Sequence, residues 1–166
     1  MPALDTGTAA PEFTLPAIDG TSFNLQQALR RGPVVLAFFK ISCPVCQFAL
    51  PYLERLYQSY RDKSNVTLVG VSQNSKSDTA AFLREYGTSF PVLLDDTRSY
   101  PVSNAYGLTN VPTIFWIEPD GEIGLSSVGW VRKDIDHLNR LIAEAGKIPV
   151  VPVFSSSENV PDYRPG

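Results

Sequence analysis

The chain has two cysteines, and they stand two residues apart in Cys43-Pro44-Val45-Cys46. Thiols at that spacing can attack a foreign sulfur, hold it as a mixed disulfide and release it when the second thiol attacks the first. A disulfide closed over so short a loop restrains the unfolded chain little, and a structural scaffold would need more cysteines tying distant segments together. A structural zinc site takes four ligands. The single histidine, His137, lies far along the chain, beside the apolar stripe of the last predicted helix, where it reads as a surface residue. The pair is therefore read as chemical rather than structural, with no metal and no cofactor.

What must position the pair is a strand feeding a helix. Pro33 to Ile41 (PVVLAFFKI) is almost continuously apolar and β-prone, the pattern of a strand buried on both faces of a mostly parallel sheet. The CPVC segment then opens a helix in which Val45, Ala49, Leu53, Leu56 and Tyr60 recur at helical spacing, with Pro51 inside it expected to kink it. A helix N-terminus presents unpaired N–H groups and partial positive charge, which stabilise a thiolate. Cys43 at the very end of the helix is the expected attacker, and Cys46, one turn further in, the resolving thiol. Pro44 lacks an N–H where none is needed. Lys40, three residues before Cys43, either supports the thiolate's charge or points to water.

The rest of the chain supplies the sheet and its cover. Phe13-Thr14-Leu15 and Thr21-Ser22-Phe23 flank an Asp19-Gly20 turn and predict a hairpin, and Asn24 caps a short helix that stops at Gly32-Pro33. Val66–Val71 and Pro91–Leu94 read as strands, with a helix between them capped by Ser77 or Asp78 and ending at Gly87. Tyr100–Gly107 is helical or turn-like. Thr113–Ile117 and Glu122–Val128 form a hairpin across Pro119-Asp120-Gly121, and Val131–Ala145 is a closing helix. Phe115 and Trp116 alternate to opposite faces of their strand. Phe39, Tyr106 and Trp130 either line a groove beside the cysteines or pack, and Gln73-Asn74 is either at the ligand end of a strand or a plain turn. Strands and helices in this order make an α/β domain with a central sheet covered on both faces.

The boundaries are a lead-in over 1–9, disordered or extended, one domain over 10–146 and a Pro-rich tail over 147–166. The tail holds four prolines, yet its Ile148–Phe154 stretch is apolar enough to pack back onto the domain or a neighbouring chain. The last dozen residues are expected to be loose. With 19% charged residues and a net charge of −3, no basic face points to nucleic acid and no basic amphipathic stretch to a membrane surface. No signal-peptide pattern opens the chain and no run of about 18 apolar residues exists, so a cytoplasmic location is expected, or a periplasmic one if a leader was removed.

Val35-Leu36-Ala37-Phe38-Phe39 followed by the CPVC pair resembles the thioredoxin superfamily, and the wider pattern resembles its TlpA/ResA-like branch, grouped with the AhpC/TSA proteins. Ala10–Pro16, Val69–Ser72, Phe90-Pro91-Val92, Tyr106-Gly107-Leu108 and Val111-Pro112-Thr113 stand in the family's order, over residues 10 to 145. The resemblance implies a thioredoxin fold: a central mixed β-sheet flanked by helices, with an N-terminal β-hairpin extension. It implies that Cys43 is the nucleophile and Cys46 the resolving cysteine. Pro112 takes the place of a proline whose preceding peptide bond is cis, and Val111 offers its backbone to an extended substrate.

The implied activity is that of a cofactor-free thiol–disulfide oxidoreductase. Its partners are a disulfide- or thiol-containing protein and a recycling reductant or oxidant, and the chain is a monomer or homodimer. The sequence departs from its relatives at the residue before the first cysteine, Ser42 in place of a tryptophan. Ala37 and Ala49 stand where thioredoxin and the ResA branch place a proton-handling carboxylate. Glu54, two turns along the helix, is a poor substitute, so the proton falls to water, Lys40 or another group.

Two other functions compete. A peroxiredoxin, an antioxidant thiol peroxidase, needs Pro and Thr or Ser at fixed distances before its cysteine. Those positions hold Phe39 and Cys43 if Cys46 takes the part, or Leu36 and Lys40 if Cys43 does. A copper-binding or redox-sensing protein of related fold would use CxxxC and a histidine placed elsewhere than His137.

Overall fold

The computed structural model describes residues 3–166. Met1 and Pro2 of the 1–9 lead-in lie outside the described residues. The rest of the lead-in is tied to the body: the Leu4 N–H donates to the Tyr106 carbonyl at 3.0 Å and Gly7 to Ile123 at 2.8 Å. β1 (Thr14–Pro16) and β2 (Ser22–Asn24) form the expected antiparallel hairpin. The turn holds because Asp19 Oδ1 accepts from both the N–H and the hydroxyl of Thr21, at 3.0 and 2.6 Å. Asn24 Oδ1 accepts from the Gln27 N–H at 2.9 Å and caps α1 (Leu25–Leu29).

The main elements follow in the order β3 (Val34–Phe39), α2 (Pro44–Tyr60), β4 (Thr67–Ser72), α3 (Lys76–Tyr86), β5 (Val92–Leu94), α4 (Pro101–Ala105), β6 (Thr113–Ile117), β7 (Ile123–Val128), β8 (Trp130–Val131), α5 (Arg132–Ala145) and β9 (Tyr163–Arg164). Five of the strands form one sheet in the order β5-β4-β3-β6-β7. β3, β4 and β5 run parallel; β6 runs antiparallel to β3 and to β7. This is the mixed sheet of a thioredoxin fold.

β3 is buried along its whole length because it serves two cores. Val35, Ala37 and Phe39 point to one face, among Leu50 and Leu53 of α2 and Leu138 and Ile142 of α5. Val34, Leu36 and Phe38 point to the other, among Phe13, Leu25, Tyr106 and Phe115. Strand side chains alternate faces, so a strand covered on both sides must be apolar throughout. Phe115 and Trp116 divide between the two cores in the same way. α2 runs unbroken through Pro51.

Two expectations change. α3 is capped by Ser75, not by Ser77 or Asp78: the Ser75 hydroxyl accepts from the Asp78 N–H at 3.3 Å, three residues on, which is the reach a capping side chain has. The last dozen residues are not loose. Val153 and Val160 are buried in the core under α2 and α5, and the Asp162 carbonyl accepts from the Arg132 N–H at 2.9 Å. β9 then pairs antiparallel with β8. Anchors spaced along the tail hold it down, and prolines do not prevent that. Among the described residues no helix is long and apolar enough to cross a membrane.

Candidate functional site

The loop from β3 to α2 is fastened before the cysteines begin. The Ile41 N–H donates to Asn74 Oδ1 at 2.9 Å, and the Ile41 carbonyl accepts from Gln47 Nε2 at 2.8 Å. Asn74 lies just past β4 and Gln47 on α2, so the loop is referenced to sheet and helix alike. The Cys43 N–H closes the turn onto the Lys40 carbonyl at 3.3 Å.

Cys43 is the N-cap of α2, with extended backbone (φ −86°, ψ 115°). Its sulfur accepts from the Cys46 N–H at 3.2 Å, filling the capping place usually taken by an oxygen. Its thiol also donates to the Val111 carbonyl at 3.4 Å. The peptide bond between Val111 and Pro112 is cis. Both cysteines are present as free thiols, Cys43 partly exposed and Cys46 fully buried. Burial pushes the Cys46 thiol far above the ordinary thiol range, and the Cys43 sulfur adds to the shift. A backbone contact with Lys40 and the charge of Lys40 pull part of the way back.

A cavity of about 410 Å³ opens beside Cys43, lined by Lys40, Gln73, Ser103, Val111 and Gly166 among others. Lys40 is exposed at its rim. Gln73 donates to the Ser103 hydroxyl at 2.9 Å, and Ser103 in turn donates to buried Asp95 at 2.7 Å. Gln73 is thus both a turn residue and part of the cavity wall, while Asn74 is structural.

Of the residues singled out from the sequence, Cys43, Cys46, Lys40, Val111 and Pro112 come together. Glu54 is turned away: it accepts from the Ser89 and Phe90 N–H groups at 2.8 and 3.2 Å and holds the loop between α3 and β5. Ala37 and Ala49 are fully buried beside Cys46 in the same core. Phe39 and Tyr106 are core residues, Tyr106 donating to the Pro11 carbonyl at 2.7 Å. Trp130 stacks edge-on to Phe48, 4.9 Å between centroids, two residues past Cys46. His137 is half-buried on α5, and among the described residues no cluster of three His, Cys, Asp or Glu side chains could hold a metal ion.

The sequence reading missed Gln47, whose only signal is its place one turn into the helix, and Gly129. Gly129 has φ 77°, and its N–H donates to the Pro112 carbonyl at 2.8 Å. A Cβ there would stand 2.6 Å from the Arg164 carbonyl, so only glycine lets the tail pass so close.

A five-stranded mixed sheet, a dithiol capping the helix that follows its central strand and a cis-proline loop facing the sulfur define an oxidoreductase of the thioredoxin class. The chain belongs to the AhpC/TSA family, whose model matches residues 6–126. It is similar to the thiol-disulfide oxidoreductase ResA of Halalkalibacterium halodurans, 34% identical over 70% of this chain and 65% of that protein. It is also similar to the ResA of Geobacillus thermodenitrificans, 31% identical over 80% of this chain and 74% of that one. The chain thus spans about two thirds to three quarters of these relatives. Among solved structures, the thioredoxin domain of a thiol-disulfide oxidoreductase from Bacteroides vulgatus superposes with a TM-score of 0.74. It is 24% identical and covers 84% of this chain and 99% of its own, a likeness of fold.

Proposed function

We propose that the chain passes electrons between its Cys43–Cys46 pair and the disulfides or dithiols of protein substrates. Cys43 is the nucleophile, Cys46 the resolving thiol, Val111 and Pro112 present backbone to the substrate, and Lys40 lends charge at the rim. The observation that carries this reading is the placement of the Cys43 sulfur. It caps α2 against the Cys46 N–H at 3.2 Å and faces the Val111 carbonyl at 3.4 Å, at the open mouth of a cavity.

In the reducing direction the Cys43 thiolate attacks one sulfur of a substrate disulfide. The new S–S bond forms as the substrate's own S–S bond breaks, and the departing substrate sulfur leaves as a thiolate. Cys46 then loses its proton and attacks Cys43, releasing the second substrate thiolate. The substrate gains two electrons and the pair ends as a Cys43–Cys46 disulfide. Run backwards, the same steps oxidise a dithiol.

The test is trapping. Cys46→Ser incubated with a disulfide-bonded protein should accumulate a mixed disulfide through Cys43, while Cys43→Ser accumulates none; the opposite pattern reverses the roles. Because Cys46 is held protonated far above the ordinary range, its thiolate fraction at neutral pH is small and grows about tenfold per pH unit. Stopped-flow release from the mixed disulfide should therefore accelerate about tenfold per unit between pH 6 and 9. A flat profile would mean that another group takes the proton before the chemical step.

A further inference from the structure

The groove in which an extended substrate would lie is already filled by the chain itself. One wall is Val111–Pro112, the other is Gly129, and the Gly129 N–H to the Pro112 carbonyl fixes the two together at 2.8 Å. Tyr163 and Arg164 pair with Val131 and Trp130, immediately beyond Gly129. The Arg164 carbonyl and the Gly166 amide close over Gly129, 2.6 and 3.1 Å from where a Cβ would stand. A Cβ on Gly166 would come within 2.5 Å of the Val111 carbonyl, the same oxygen that accepts from the Cys43 thiol. Asn110 Nδ2 donates to the Gly166 carbonyl at 3.2 Å, and Gly166 lines the cavity with Cys43 and Lys40. The Arg164 guanidinium lies 4.4 Å over the ring of Phe48, on the first turns of α2.

Resting on the redox reading above, we infer that Tyr163–Gly166 occupies the substrate groove as an internal competitor. The groove itself takes an extended polypeptide with a cationic side chain over Phe48 and a small residue against Val111. The segment lies along a strand edge, as an added strand does in peptide recognition. Its hold is local and weak: β9 has two residues, Tyr163 is 60% exposed, and every residue from 162 to 166 is exposed. The stronger anchors lie upstream, where Arg55 grips both carboxylate oxygens of Glu158 at 2.7 and 2.8 Å and Val160 is buried. The last four residues can therefore lift away while the rest of the tail stays docked. A polypeptide substrate competes with them; a small disulfide needs only the sulfur.

The experiment follows single turnovers of the pre-reduced protein, as the full chain and as one ending at Asp162, against an excess of two oxidised probes: a fluorogenic peptide disulfide with an arginine near its cysteine, and dithiobis-nitrobenzoate. The electrons come from the Cys43–Cys46 dithiol, and KM and kcat stand for the half-saturating concentration and limiting rate of that turnover. A self-occupied groove lowers the apparent affinity by the fraction of time it is free. Removal of residues 163–166 should lower KM for the peptide about tenfold at unchanged kcat and change the small-disulfide rate less than twofold. Arg164→Ala, which leaves the chain intact, should lower the peptide KM in the same direction by a smaller factor. The synthetic heptapeptide of residues 160–166 should raise it again in the shortened chain. A peptide KM that is unchanged or higher in both variants overturns the inference. Equal gains on both probes overturn it too, since the tail would then only shade the sulfur. If the full chain turns over neither probe, the redox reading itself falls.

Discussion

The two ends of the chain fold back on opposite faces of the sheet and are held by different means. The N-terminal end is woven in through backbone. The Ile18 N–H donates to the Val92 carbonyl at 2.8 Å, Ala10 to Gly121 at 2.8 Å, and Ala17 bridges Leu93. Phe13 and Leu15 are buried in the core that also holds Phe38 and Tyr106. The C-terminal end is held mostly by side chains. Arg132 lies 4.9 Å over Phe154, Arg55 pairs with Glu158, and Trp130 Nε1 donates to the Pro161 carbonyl at 2.8 Å. Exposed cation–π contacts contribute about 0.5–1 kcal/mol each, and exposed ion pairs about 0.2–1 kcal/mol. A segment held in this way can open without the fold opening. The part of this end inferred to lift, residues 163–166, is the part that reaches the Val111 carbonyl beside Cys43.

The contrast can be broken from either side. Phe13→Ala empties a buried aromatic site packed against Phe23 and Tyr106, and should cost about 3–5 kcal/mol of global stability in a denaturant titration. Phe154→Ala removes a ring packed on Tyr52 and Trp130 but only half-buried. It should cost about 1–2 kcal/mol, and hydrogen exchange should rise over residues 153–166 before it rises in β3. If the two substitutions cost the same, the tail is as much a part of the fold as the hairpin.

The smallest effect is that of acid. Arg55 holds the Glu158 carboxyl down to about 2, below its ordinary 4.5. A depressed carboxyl contributes where it is ionised, so its hold on the tail is complete above about pH 4.5 and is lost as pH falls through about 2. Exchange at residues 155–166 should rise over that window in the parent chain. In Glu158→Gln it should be raised already at neutral pH and flat across the window.

What the sequence revealed was what local pattern encodes. The apolar run of β3, the hairpin turn at Pro119-Asp120-Gly121 and the CPVC helix start are each written in residues that are neighbours in the chain, and each is where it was expected. The cap of α3 was misplaced because Ser75, Ser77 and Asp78 all have capping chemistry, and only backbone geometry selects Ser75. The tail was illegible for another reason. Arg55 and Glu158 are 103 residues apart, and nothing near either one announces the pairing. Of the site, the cysteines, Lys40 and the Val111-Pro112 loop were legible in residue type or in resemblance. Gln47 and Gly129 were not, because a lone amide or glycine carries no period, while Asn74 was offered as a ligand-end or a turn residue and fastens the loop.

The bracketing of Ile41 has a consequence for how the site tolerates heat and change. Asn74 measures the loop's position from the sheet and Gln47 from the helix, so the reacting sulfur is located by triangulation rather than by the stiffness of one element. A tilt of α2 on the sheet must therefore stretch one of these two hydrogen bonds before the loop that carries Cys43 can follow it, so the junction resists displacement from either side.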